Sequence, residues 1–202
     1  MKLFTSSTTP FGRKVMVLIL ESGLADRVEF CSVSGTPINS GTMPLDQNPL
    51  GKIPALIAQE GEAAIFFSRV ICRYLDALCA GGLYPTDKGL WTVLTLEATA
   101  DGILDAAVLM VYESRLRPEA LQYAPWVDAQ WNKVSRALDA IEARWMGLLA
   151  APVTMAHIAV GVALGYLDFR HSARDWRQGR PQLAQWEATF ATRPAMVQTR
   201  PI

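Results

Sequence analysis

The chain is predicted to fold as a small α/β unit followed by an all-helical unit, and three observations predict it. Up to about residue 65 the pattern changes character every few residues, as short strands and turns do. From residue 88 onward apolar residues recur at helical spacing, in segments punctuated by Pro118, Pro125, Pro152, Pro181 and Pro194. Between the two lies AGGLYPTD (80–87), a linker with two glycines, a proline, and Thr86 or Asp87 as a candidate helix cap.

Each element follows from its own residues. KLFTS reads as a short strand, and PFGRKVMVLILESG (10–23) as a helix with proline at its first position and glycine at its end. VEFCSV (28–33) is a strand, and PLDQNPLGK (44–52) a turn or short helix. IPALIA (53–58) and AAIF (63–66) are strands joined by a turn at Glu60-Gly61. In the helix of 67–79, Phe67, Val70, Ile71, Tyr74, Leu75 and Leu78 fall on one side, with Arg69, Arg73 and Asp76 opposite. That makes an amphipathic helix packed on a sheet, with Phe67 as the first residue of its core stripe. Residues 88–116, 125–149, 154–171 and 181–192 are the later helices, so the domains are 1–79, a linker at 80–87, and 88–202.

Composition narrows the function. The chain has 202 residues, half of them hydrophobic, enough for one large core or two small ones. Net charge is zero, which argues against a nucleic-acid partner. No run of 18 apolar residues exists to span a membrane. The opening MKLFTSSTTPFGRK has no apolar block after its charge and no cleavage pattern of a signal peptide, so a cytoplasmic setting is expected. Three cysteines without regular spacing are not a disulfide framework; they read as small buried hydrophobes. Two histidines are too few for a His-rich metal site, and no metal is expected.

The segment NPLGKIPAL (48–56) is the most informative. Its proline cannot donate to a strand ladder, and a proline at a turn into a sheet is often cis. The amide and carbonyl of Ile53 are then available to an extended, peptide-like ligand. Farther along, Ser68 opens a helix whose first amides suit an anion. Ser68 can equally be a cap and nothing more.

These pieces are similar to the glutathione transferases, whose GK(I/V)PAL segment matches residues 51–56. KLFTSSTTPFGRKV, SRVICRYLD (68–76), ADGILDA (100–106) and TMAHIAVGVALGYLDFR (154–170) agree in order and spacing, so the resemblance covers nearly the whole chain. It is nearest to bacterial members that carry a hydroxyl residue rather than tyrosine near the N-terminus. The resemblance implies a thioredoxin-like N-terminal domain, an all-α helical-bundle C-terminal domain, and a homodimer. It implies glutathione in the first domain and a small, largely apolar electrophile against the second, with detoxification as the broad role. Conjugation, isomerisation, thiol exchange and dehalogenation all stay open.

The resemblance also assigns residues. Thr9, before Pro10, matches the catalytic serine of serine-type members, with Ser6, Ser7 and Thr8 as alternatives. A hydroxyl donor near a helix N-terminus favours thiolate over thiol; the plain alternative is an N-cap, and both roles are compatible. Ile53 and Pro54 present the main chain to glutathione, and Ser68 holds its γ-glutamyl carboxylate. Lys52 stands near its glycyl end or is simply solvated.

Two positions depart from the pattern. Phe67 stands where relatives have Asp or Glu to meet the substrate ammonium, leaving cation–π attraction as its means of doing so. Asp101 compensates by reaching across a dimer, and otherwise belongs to a solvated acidic face with Glu97 and Asp105. His157 replaces the usual Asp of a helix capping box, which is a structural change rather than a catalytic one. Met110, Tyr112 and Trp126 are candidates for an acceptor pocket, although apolar helix residues are more often core. The runner-up function is a non-catalytic, glutathione-transferase-like binding or regulatory dimer.

Overall fold

The computed structural model describes residues Met1–Ile202 and divides into two compact units, Met1–Tyr84 with Pro194–Ile202, and Pro85–Arg193. The first unit holds a four-stranded mixed sheet, formed by β1 (Lys2–Thr5), β2 (Glu29–Ser32), β3 (Ala55–Ile57) and β4 (Ile65–Phe66) in the order β2-β1-β3-β4. β1 pairs in parallel with β2 and antiparallel with β3, and β3 pairs antiparallel with β4. The strands are shorter than the sequence suggests; Ile53 and Pro54 lie ahead of β3 rather than in it.

Helices α1 (Pro10–Glu21) and α2 (Ser68–Cys79) pack together on this sheet. Leu3, Leu18, Leu56, Ile71 and Leu75 are fully buried, each worth about 1.5–3 kcal/mol on removal from water. α1 ends at Gly23, whose φ of 66° suits the left-handed turn in which the Leu24 amide reaches back to Ile19 O at 2.9 Å.

The core stripe of α2 differs from the sequence reading. Its buried line is Ser68, Ile71, Cys72 and Leu75, whereas Phe67, Val70 and Leu78 are exposed. For Phe67 the reason is local: it precedes the helix with φ +77°, so its side chain leaves the helical register. Asp76, expected on the solvated side, is buried. Its Oδ1 accepts the Leu83 amide at 2.9 Å and its Oδ2 the Tyr84 amide at 3.3 Å, which pins the linker to α2. Of the cysteines only Cys72 is buried; Cys31 and Cys79 are half-buried, and none forms a disulfide.

The second unit contains α3 (Gly89–Leu116), α4 (Ala124–Arg144), α5 (Met146–Leu149), α6 (Met155–His171) and α7 (Pro181–Phe190). The single helix expected over 125–149 is interrupted at Trp145, the residue between α4 and α5. Ahead of α3, Asp87 Oδ1 accepts the Gly89 amide at 2.8 Å. The last helix, α8 (Pro194–Gln198), is not part of this bundle. It packs on α1, where the Arg13 guanidinium donates to Met196 O at 3.0 Å and Thr199 Oγ1 at 3.3 Å.

α6 opens with the substituted capping box. The Thr154 amide donates to His157 Nδ1 at 3.1 Å, and the Thr154 side chain caps the helix in return. His157 is therefore neutral, with its proton on Nε2, which is buried without a hydrogen bond. Burial lowers its pKa; the carbonyls of Ala151, Leu149 and Leu148 oppose that shift, and the charge of Arg193 adds to it. The unfolded chain thus takes up a proton before the folded one does. The stabilisation is complete above the ordinary value of about 6.5 and is lost as pH falls toward the folded value. His171, also lowered chiefly by burial, contributes in the same direction. Urea denaturation should show lower stability at pH 5.5 than at 7.5. His157→Asp, which keeps an acceptor in the capping box but has no imidazole to titrate in that range, should remove part of that loss.

Candidate functional site

The strand register gathers the candidate residues. Phe4 of β1 lies beside Ala55 of β3, which lies beside Phe66 of β4. Because β3 runs against both neighbours, its N-terminal end adjoins the C-terminal ends of β1 and β4. The chain leaving β1 toward Thr9, the Ile53-Pro54 pair entering β3, and the Phe67-Ser68 pair leaving β4 therefore meet at one end of the sheet. Both α1 and α2 begin there.

At the start of α1, Thr9 is the N-cap residue, in extended conformation (φ −79°, ψ 122°) with Pro10 next in the helix. Its hydroxyl makes no cap hydrogen bond. The expected capping by Thr9 is thus absent, and its O–H is available to a guest. Ser6, Ser7 and Thr8 lie in the same turn.

At the second corner the Ile53-Pro54 peptide is cis. Neither the amide nor the carbonyl of Ile53 is engaged by another backbone group. The preceding turn is held by Asn48, a buried residue that sequence reasoning passed over. Its Nδ2 donates to Lys52 O at 2.7 Å and its Oδ1 accepts the Leu50 amide at 3.1 Å. The Lys52 side chain is exposed.

At the third corner the cap position of α2 belongs to Phe67, so Ser68 is the first helical residue and not its cap. A phenylalanine offers no oxygen to the first-turn amides. Ser68 is buried, whereas Phe67 is 54% exposed with its backbone at φ 77°, ψ 121°.

Residues 8–78 match the glutathione S-transferase N-terminal domain and residues 124–188 match the C-terminal domain. The chain belongs to the glutathione S-transferase family. It is 36% identical over 205 residues to the uncharacterized GST-like protein YibF of Escherichia coli K12, covering 100% of this chain and 98% of that one. A glutathione transferase family member from Pseudomonas fluorescens Pf-5, solved with bound glutathione, is 43% identical with a TM-score of 0.96, covering 100% of this chain and 98% of that one. A glutathione S-transferase from Methylobacillus flagellatus KT, also solved with glutathione, is 38% identical with a TM-score of 0.85, covering 100% and 99%.

Within this transferase fold, Thr9, Lys52, Ile53, Pro54, Phe67 and Ser68 all lie in the first unit, and Asp101 lies on α3 in the second. The solvated acidic face is corrected: Glu97 and Asp101 are buried, Asp105 is exposed, and each of the three interacts with another group. Of the acceptor-pocket candidates, Met110 is buried core, Tyr112 is exposed and Trp126 is half-buried. Asn48 left a signal in the sequence, since an Asn that opens a Pro- and Gly-containing turn often bonds its own following backbone. Asn48→Ala should destabilise the protein by about 1–3 kcal/mol in urea denaturation, because it leaves the Lys52 carbonyl and Leu50 amide without their partner.

Proposed function

We propose that this protein binds glutathione at that sheet end and activates its thiol for attack on a small, largely apolar electrophile. One observation carries the reading: three groups that the protein itself leaves unused converge there. They are the Thr9 hydroxyl, the main-chain groups of Ile53, and the Ser68 amide at the start of α2. They match the three needs of a tripeptide thiol: a donor for the sulfur, a main-chain partner, and an anion site for the γ-glutamyl carboxylate. Lys52, exposed on the same turn, supplies a cation for the glycyl end. Relatives at 38–43% identity hold glutathione, which supports the assignment.

The chemistry follows from placement. A hydroxyl that donates to sulfur stabilises thiolate over thiol, and the positive end of α1 acts in the same sense. A free thiol titrates near pH 8.5, so each unit of depression gives up to tenfold more nucleophile at neutral pH. The protein's contribution is orientation and thiolate population; the electrophile accepts the sulfur electron pair.

We also propose a homodimer, supported by Phe67, Val70 and Leu78, which are large apolar side chains exposed along α2. In that assembly the substrate ammonium meets the Phe67 ring of its own chain; Asp101 of the partner subunit, the acid the resemblance assigns to it, is buried within its own chain and reaches it only where that burial opens. Three free cysteines suit a cytoplasmic setting, and detoxification of reactive electrophiles is the broad role.

A second reading is favoured by Phe67 alone. A strained, exposed aromatic residue in place of a carboxylate suits a dimer that binds glutathione without turning it over. Calorimetric titration with glutathione, followed by assays across several electrophile classes, separates the two. Binding at millimolar ligand or below, with turnover that falls in Thr9→Val and persists in Thr9→Ser, is the expected result. Absence of any binding at that concentration overturns both readings, whereas binding without turnover leaves the second. Phe67→Glu should tighten glutathione by up to about tenfold, the worth of 1.4 kcal/mol. If affinity is unchanged, the ammonium is already served elsewhere, and Asp101→Asn should then weaken binding.

A further inference from the structure

Thr5, the last residue of β1, is buried, and its hydroxyl has no hydrogen-bond partner. A buried hydroxyl in that state is unfavourable, and something must offset it. The strand itself does not supply the offset, since its ladder uses only the Thr5 backbone, whose carbonyl accepts the Val33 amide at 2.9 Å.

The explanation lies on α1. A methyl group added at Gly12 would stand 2.0 Å from Thr5 Oγ1, 3.3 Å from Thr5 Cβ and 2.7 Å from Thr9 Cγ2. Two atoms that close to one point are neighbours. The Thr5 side chain thus occupies the niche that Gly12 leaves open and lies against the methyl group of Thr9. A threonine has few χ1 choices, and holding its methyl fixes where its hydroxyl goes. Here the methyl is turned inward to Thr5, and the hydroxyl is left out of the cap.

We propose that Thr5 is a positioning residue. By filling the Gly12 niche with a β-branched shape, it locks the Thr9 rotamer that presents the hydroxyl to the thiol. The inference rests on the reading that Thr9 serves the glutathione sulfur. It assigns the role to the shape of Thr5, not to its hydroxyl, which valine reproduces without the unsatisfied oxygen.

Four measurements test it. Methyl scalar couplings of Thr9 should report one χ1 rotamer in the native protein and in Thr5→Val, and averaging in Thr5→Ala. The thiol pKa of bound glutathione, read from thiolate absorbance, should be native in Thr5→Val and higher in Thr5→Ala. kcat should fall about fivefold to tenfold in Thr5→Ala, within the cost of a slight misplacement, with glutathione affinity changed less than about twofold. Gly12→Ala should lose stability that Thr5→Ala restores in the double variant, a coupling that does not depend on turnover.

A single Thr9 rotamer and a native thiol pKa in Thr5→Ala overturn the proposal. So does a loss of activity in Thr5→Val that matches Thr5→Ala, which would give the role to the hydroxyl. Thr9→Val separates the two layers. If it raises the thiol pKa while Thr5→Ala does not, only the positioning role fails. If it leaves the thiol unchanged, the Thr9 reading fails and takes the positioning role with it.

Discussion

The site depends on one register, the line Phe4–Ala55–Phe66 across β1, β3 and β4. Strand pairing has a period of two, so a slip by one residue turns each side chain to the other face. Here a slip would also separate the chain ends that matter. The register is held because Leu3 and Leu56 are paired across the ladder and fully buried; a one-residue shift of β3 would put one of them in water. From that constraint the rest follows. β3 must begin where β1 and β4 end, and the helices that follow those two strands must both open at the same place. A fold that packs two helices on four short strands thereby presents two helix N-termini and one loose stretch of backbone on a single rim.

Phe67 shows what that rim costs. A non-glycine residue at φ +77° carries strain on the order of 1–3 kcal/mol, and more than half of its surface is exposed, so burial returns little. The residue is held there because Phe66 is tied into β4 while Ser68 already belongs to α2. The chain must turn from strand to helix within one residue, and that residue takes the strain. Whichever side chain occupies the position is aimed outward, beside the first amides of α2. The acid that the resemblance leads one to expect and this protein's ring would be alternative uses of one backbone constraint.

Much of this was legible in the residues. Helical periodicity located both units, and the end signals were reliable where proline or glycine fixed a dihedral, as at Pro10 and Gly23. The motif around Ile53-Pro54 was legible because proline's missing N–H has only a few structural uses. Three things were not legible. The buried face of α2 was misjudged because Phe67 matches the apolar spacing while standing outside the helix, and periodicity does not report a cap's dihedrals. Asp76 looked solvated because its partners, the Leu83 and Tyr84 amides, are backbone groups that leave no mark in a side-chain pattern. The Thr5, Thr9 and Gly12 cluster was invisible because it joins a strand end to a helix turn through space, and nothing in SSTTPFG says which hydroxyl faces in.

The starts of α1 and α2 contrast with that of α6. α6 opens with a reciprocal box in which both Thr154 and His157 spend their polar atoms on each other's backbone. α1 and α2 open with neither. Thr9 has a suitable oxygen and does not use it as a cap, and Phe67 has none to use. An N-cap is worth about 1 kcal/mol, so leaving two such ends uncapped forgoes roughly 2 kcal/mol of a marginal total. Local stability alone would favour serine or aspartate at both positions, with their oxygens turned onto the amides. An oxygen already bonded to the first turn would compete with an anion for the same donors. A rim that leaves side-chain oxygens off its first-turn amides is less stable on its own and better prepared for a charged guest. That exchange sets these two helices apart from α6, whose start carries no candidate ligand contact.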